Sequence, residues 1–172
     1  MSNLSRPCLT IIATAALLVA CSTPYVVPEN GTLSDVTIKI KPSRITQFSL
    51  AIYDNAETCS GAKELLKETG RNGEIAQNGL KTKIKANQLA TFNYREVEGR
   101  YVCTFNFSFV PQSGQTYLLT ESTINSSCRI NVVDNTDVNK PIKVPLIRRS
   151  VSGNDCTPIN PAELPPSLQK NP

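Results

Sequence analysis

The sequence predicts an all-β domain: an antiparallel β-sandwich of seven to eight strands, stapled by disulfides. Three observations carry that expectation. Short runs between residues 36 and 146 alternate apolar and polar side chains with period two, the pattern of strands with one face buried and one wet. Pro, Gly, Asn, Asp and Ser, the residues that favour turns, separate those runs. Beyond residue 21 four cysteines remain, Cys59, Cys103, Cys128 and Cys156, an even count that reads as two disulfides.

The runs follow in order. VTIKIK, 36–41, sets Val36, Ile38 and Ile40 on one face and Thr37, Lys39 and Lys41 on the other. Phe48, Leu50 and Ile52 share a face in the next run, which ends at Tyr53-Asp54-Asn55. Residues 80–86 put Lys81, Lys83 and Lys85 together, and Phe92 and Tyr94 follow. The strongest strand is YVCTFNFSF, 101–109: Tyr101, Cys103, Phe105, Phe107 and Phe109 point one way, and Val102, Thr104, Asn106 and Ser108 the other. Pro111-Gln112-Ser113-Gly114 is a turn, 116–124 a strand, and Asn125-Ser126-Ser127 a second turn. Cys128, Ile130 and Val132 share a face, and Ile142, Val144 and Leu146 make a last short strand. Pro145 gives that strand an edge position, because proline cannot donate to a ladder. Such a series fits a sandwich or a barrel; we expect a sandwich, immunoglobulin-like or transthyretin-like. One segment departs from period two. In AKELLKET, 62–69, Ala62, Leu65 and Leu66 have helical spacing, which predicts a turn of helix ending at Gly70.

The domain is expected over residues 35–150. Residues 21–34 contain two prolines, a glycine and small polar residues, a composition suited to a tether. From Val151 onward five of 22 residues are proline, so 151–172 reads as an extended tail pinned at Cys156. Four cysteines allow three pairings. Cys103 shares its face with aromatics and Cys128 with Ile130 and Val132, which favours Cys103 with Cys128 and leaves Cys59 for Cys156. Zinc is a poor alternative, because no C-x-x-C occurs and the cysteines lie 44, 25 and 28 residues apart.

The N-terminus says where the chain is expected to live. Arg6 and the α-amine precede an uncharged, mostly apolar run, residues 9–19. That run is shorter than the ~20 apolar residues that span a bilayer. Together they describe a secretory signal peptide, residues 1–20. Leu18-Val19-Ala20-Cys21 resembles the lipobox of bacterial lipoproteins. The resemblance implies cleavage before Cys21, a diacylglycerol on its sulfur and an acylated amine. Two or more chains make a stable anchor. Ser22, where an Asp would retain the protein in the inner membrane, implies by the same resemblance an outer-membrane lipoprotein facing the periplasm. An oxidising compartment also suits disulfides. The spaced residues Ile52-Tyr53-Asp54 with Cys59-Ser60-Gly61, then Tyr101, Cys103, Phe105, Phe107, Phe109, Pro111, Gly114 and Tyr117, then Ser127-Cys128-Arg129-Ile130-Asn131-Val132, resemble a loose group of uncharacterised envelope lipoproteins. That likeness spans the middle half of the chain and implies a disulfide-bearing sandwich without a known activity.

Composition narrows the function. The chain has no histidine, which removes His-based acid–base catalysis, Ser–His and Cys–His pairs and His metal sites. Removing residues 1–20 takes away Arg6 and no acid, leaving 17 basic against 14 acidic side chains. That mild excess does not argue for nucleic acid. Lys81, Lys83 and Lys85, with Lys39 and Lys41 on a neighbouring strand, form a candidate surface for anionic partners such as lipopolysaccharide, phospholipid heads or cell-wall polymer. The competing and simpler reading is that lysines on an exposed strand block edge pairing. Asp134-Asn135-Thr136-Asp137 offers few of the six to eight oxygens that calcium takes, so a self-capping turn is expected. Glu57, Glu64, Glu68, Glu96, Glu98 and Glu121 show no glycosidase-like pairing, and Ser60 lies in no nucleophile elbow. Pro158, Pro161, Pro165 and Pro166 suit either a solvated end or an extended peptide docked in a groove. The expectation is a non-catalytic binding or assembly module without a cofactor, anchored through Cys21 and meeting an envelope protein. The alternative is a cell-wall-active enzyme using loop carboxylates.

Overall fold

In the computed structural model, which describes residues 23–39, 46–70, 79–124, 127–150 and 156–160, the alternating runs form two sheets. One holds six strands in the order β1 (Thr23–Pro24), β4 (Ser60–Gly70), β3 (Thr46–Asn55), β6 (Ala90–Glu98), β7 (Tyr101–Phe109) and β11 (Ile147–Arg149). The other holds five: β10 (Ile142–Lys143), β9 (Ser127–Asp134), β8 (Thr116–Ile124), β2 (Leu33–Lys39) and β5 (Leu80–Lys85). Their inner faces share one apolar core, so the expected disulfide-stapled β-sandwich is what the chain forms. Pairing is antiparallel except at β1–β4 and β2–β8, which are parallel. Three of the four sheet edges end in strands of two or three residues, β1, β10 and β11. Short edges give another chain little ladder to extend.

The core follows the predicted faces. Val36 and Ile38 from β2, Phe48, Leu50 and Ile52 from β3, Phe92 and Tyr94 from β6, and Phe107 and Phe109 from β7 are all buried. Phe92 stacks between Phe107 and Phe109, at centroid distances of 5.1 and 5.7 Å, and Phe109 meets Tyr117 of the opposite sheet at 5.2 Å. Each such side chain contributes about 1.5–3 kcal/mol by leaving water, so this aromatic row dominates the sandwich interior.

The predicted helical turn over 62–69 is instead part of β4. The spacing misled because β4 is bulged. Leu50 pairs with Leu66 while Ala51 pairs with Glu64, so Leu65 is an extra residue on β4. A bulge puts two successive residues against one on the partner strand. Leu66 is buried and Leu65 packs against the same core, which imitates one face of a helix. The last predicted strand, carrying Ile142, Val144 and Leu146, is strand only at Ile142–Lys143, and a further strand that the pattern did not predict follows at Ile147–Arg149. β10 pairs with β9, β11 pairs with β7, and Pro145 lies between them where the chain changes sheets.

Both flanking segments are tied to the sandwich. In the segment read as a tether, β1 pairs with β4, Tyr25 N–H donates to Glu64 O, and the Tyr25 hydroxyl donates to Lys83 O at 2.9 Å. Tyr25 thus joins the edges of the two sheets. At the other end Ser150 N–H donates to Thr157 O and Ile159 N–H to Arg148 O, extending the β11 edge by 156–160. Residues 1–20, Cys21, Lys41 and the tail from 161 lie outside the described residues.

The Pro111–Tyr117 corner shows why its residues are spaced as they are. The Tyr117 hydroxyl accepts from Gln112 N–H at 2.8 Å and donates to Gln115 Oε1 at 2.7 Å. Gly114 takes φ +73°, a conformation side chains rarely adopt. Tyr117→Phe leaves the Gln112 N–H without its acceptor, and we expect a loss of about 1–3 kcal/mol, read from urea unfolding. An unchanged midpoint would show that the clasp is dispensable.

The tyrosines also set an alkaline limit. Burial, then the hydrogen bond it donates to Glu96 and the charges of Glu96 and Glu121, push the Tyr94 phenol far above its ordinary value of 10. Burial raises Tyr25, Tyr53 and Tyr117 as well. The folded state therefore holds these protons more tightly than the unfolded chain. Their stabilisation is fully present below about pH 10 and is lost as pH climbs through the raised folded values. Tyr94, fully enclosed in the core, contributes a slope of up to about 1.4 kcal/mol per pH unit in that window. Urea titrations from pH 8 upward should show a falling midpoint that is shallower in Tyr94→Phe; equal slopes would refute the assignment.

Candidate functional site

The three lysines do share a face. β5 is the fourth sheet edge, and its pairing with β2 places Lys85, Lys83 and Lys81 opposite Leu33, Asp35 and Thr37. The intervening Ile84 is buried and the three lysines are exposed. Following the register across the sheet, the same outer face carries Lys39, Arg129 and Lys143. Asp35 is the acidic side chain there among the described residues, and its Oδ1 lies 3.0 Å from Lys83 Nζ. Both partners are half exposed, so this pair adds little stability. The face is therefore a positively charged sheet surface whose edge row of three lysines has its middle member, Lys83, partly neutralised.

Two further features lie at this edge. Tyr25 reaches the backbone of Lys83, and the adjoining Val26 is 77 % exposed. A basic row, an exposed valine and the chain arriving from Cys21 are thus gathered on one side of the sandwich. Period-two reading found the lysines; only the register of β2, β5 and β8 could add the others.

Several of the candidate carboxylates and hydroxyls are committed to local structure. Asp134 Oδ1 accepts from Thr136 N–H and its hydroxyl, and Asp137 Oδ1 from Asn139 N–H. Both acids cap their own turns. Ser60 Oγ lies 2.9 Å from Thr58 Oγ1 in the turn organised by Asn55 Oδ1. Glu64 Oε2 stands 4.0 Å from Lys67 Nζ. Glu57 is exposed, whereas Glu96 is buried on a strand and accepts from the Tyr94 hydroxyl at 2.8 Å. Glu121 is on β8, not on a loop. The side chains of Glu68 and Glu98 lie outside the described residues. Among the described residues no group of three or more Cys, Asp or Glu side chains is arranged to hold a metal.

The structure adds a buried polar cluster that alternation does not reveal. Cys59 and Cys156 form a disulfide, their Cα atoms 5.4 Å apart and 97 residues apart in sequence. Cys103 is disulfide-bonded too; the side chain of its expected partner, Cys128, lies outside the described residues. The Cys59–Cys156 staple draws the β3–β4 turn and the C-terminal segment over the outer face of β6 and β7. Thr91, Asn106 and Ser108, of which the last two were expected on a wet face, are consequently buried. Arg149 lies among them, only 4 % exposed. Its Nε donates to Ser108 Oγ at 2.6 Å, and its Nη1 to Cys156 O at 2.6 Å and Glu57 O at 3.4 Å. The Thr91 hydroxyl donates to Ala56 O, so the Ser108 hydroxyl must donate to Thr91 Oγ1. One directed chain runs from the guanidinium to a backbone carbonyl. Burial lowers the Arg149 pKa, opposed by the Glu57 charge. The guanidinium bridges the same two segments as the disulfide.

No protein-family model matches the chain, and no curated protein matches it.

Cys59→Ser together with Cys156→Ser should cost about 4–5 kcal/mol, since the bridge closes a loop near 100 residues. It should also admit solvent to Arg149, seen as faster amide exchange at Ser108 and Arg149. Stability and exchange equal to the parent would show that the cap holds without the bridge.

Proposed function

We propose that this protein is a lipid-anchored module of the bacterial envelope that binds or assembles rather than catalyses. Leu18-Val19-Ala20-Cys21 carries the reading. Acyl chains on Cys21 would hold the sandwich at a membrane, on the periplasmic side of the outer membrane if Ser22 follows the sorting pattern it resembles. The first described strand, Thr23–Pro24, begins two residues after Cys21 and is joined to the sheet. An anchor there keeps the domain close to the bilayer.

A non-catalytic role is supported by how the polar groups are used. Asp134, Asp137 and Ser60 organise turns, Glu96 receives an interior phenol, and Arg149, Ser108 and Thr91 hold the cap. The chain has no histidine to move a proton near neutrality. Two anchored chain ends and short edges make a rigid body suited to presenting a surface to an envelope protein.

The test compares the parent with Cys21→Ser in intact cells, by fractionation, intact mass and crosslinking. The parent should sediment with membranes, carry acyl chains and yield a recurrent envelope partner that Cys21→Ser loses. Unchanged fractionation and mass in Cys21→Ser would remove the anchor. Anchored protein with no recurrent partner would remove the assembly role.

A further inference from the structure

The basic row on β5 and the point where the chain arrives from Cys21 are on the same edge. Tyr25 lies four positions after Cys21, and four extended residues reach at most about 14 Å. Tyr25 is fixed from both sides, by Glu64 O of β4 and Lys83 O of β5. Any acyl chain on Cys21 therefore holds the β5 edge within a few residues' length of the bilayer surface. That edge exposes Lys81, Lys83 and Lys85, and Val26, which follows Tyr25 in sequence, is exposed too.

We propose that the lysine row of β5 lies on anionic phospholipid headgroups, so that the sandwich rests on the membrane in one orientation rather than swinging from its anchor. This rests on the lipid-anchor reading above. Three observations favour a lipid surface over other anions. The row is flat and linear, since alternate strand residues line one face. Its central cation is already paired with Asp35 at 3.0 Å, leaving Lys81 and Lys85 as separated point charges. They match a plane of headgroups better than one compact anion. Val26, 77 % exposed and next in sequence to the Tyr25 that reaches Lys83 O, supplies an apolar side chain for the interface. The tethered end confines the row near that plane, so the weak attraction of each lysine acts at high effective concentration.

Lysine footprinting tests it on the membrane-extracted protein, after its intact mass has been read for acyl chains. The protein is reconstituted in vesicles of phosphatidylcholine, or of phosphatidylcholine with phosphatidylglycerol, and treated with an acetylating reagent. Lys81 and Lys85 should react about five-fold more slowly in the anionic vesicles, the scale of one lysine's attraction to such a surface. Raised salt should restore their rates. Lys67, exposed on the outer face of the other sheet, should react equally in both. Equal rates for Lys81 and Lys85 in the two vesicles would overturn the proposal. So would protection by isolated cell-wall polymer with none by anionic vesicles. If the mass shows no acyl chains, the anchor reading fails by itself, and the same footprint on protein mixed with the vesicles still decides the lysine contact.

Discussion

The second half of strand β7, residues 106–109, is buried on both faces, and the rest of the sandwich is arranged around that constraint. Its inner face supplies Phe107 and Phe109 to the aromatic row. Its outer face supplies Asn106 and Ser108, polar groups that cannot be left unpaired once water is excluded. Asn106 Oδ1 accepts from Asn93 Nδ2 at 2.8 Å and its Nδ2 donates to Ser150 O at 3.1 Å, while Ser108 receives Arg149. Satisfying those groups requires the β3–β4 turn and the C-terminal segment to lie over the strand. The Cys59–Cys156 bridge holds both in place. The disulfide and the guanidinium act on the same two segments, one by covalent restraint and one by hydrogen bonds.

The first and last described segments close the sandwich on opposite edges of the six-stranded sheet. Near the N-terminus, β1 and Tyr25 close the β4 edge and reach across to β5. Near the C-terminus, β11 and residues 156–160 close the β7 edge. This arrangement gives the molecule a side. Tyr25 reaches β5, so the proposed anchor would hold the β5 side toward a membrane, while the disulfide-capped region lies at the far edge of the other sheet. A surface for a protein partner would thus be held away from the bilayer, and the basic face would be turned toward it.

Lysines on β5 serve two physical ends that do not conflict. They blunt the one long exposed edge of the sandwich, where unpaired backbone groups would otherwise invite another strand. They also place positive charge on the strand that Tyr25 reaches, the side the proposed anchor would hold at a membrane. The first role needs lysine at any exposed position along the edge; the second needs this edge in particular, and Tyr25 is the contact that would make it lipid-proximal in the proposed arrangement.

By itself the sequence determined the fold class, most strand positions and the membership of the core, because a half-buried strand imposes period two on its own residues. YVCTFNFSF and VTIKIK were legible for that reason, as was the lysine row. Cys59 with Cys156 was a preference among three pairings, since spacing alone does not bring cysteines together. The tertiary structure decided the rest. It turned Ala62, Leu65 and Leu66 from an apparent helix face into a bulged strand, because a bulge breaks the two-residue period locally. It buried Thr91, Asn106, Ser108 and Arg149, because what covers a sheet's outer face comes from segments far away in the chain. It also set Tyr25 between two edges and placed Lys39, Arg129 and Lys143 on the same outer face as the β5 row, because strand neighbours depend on long-range register that no local pattern encodes.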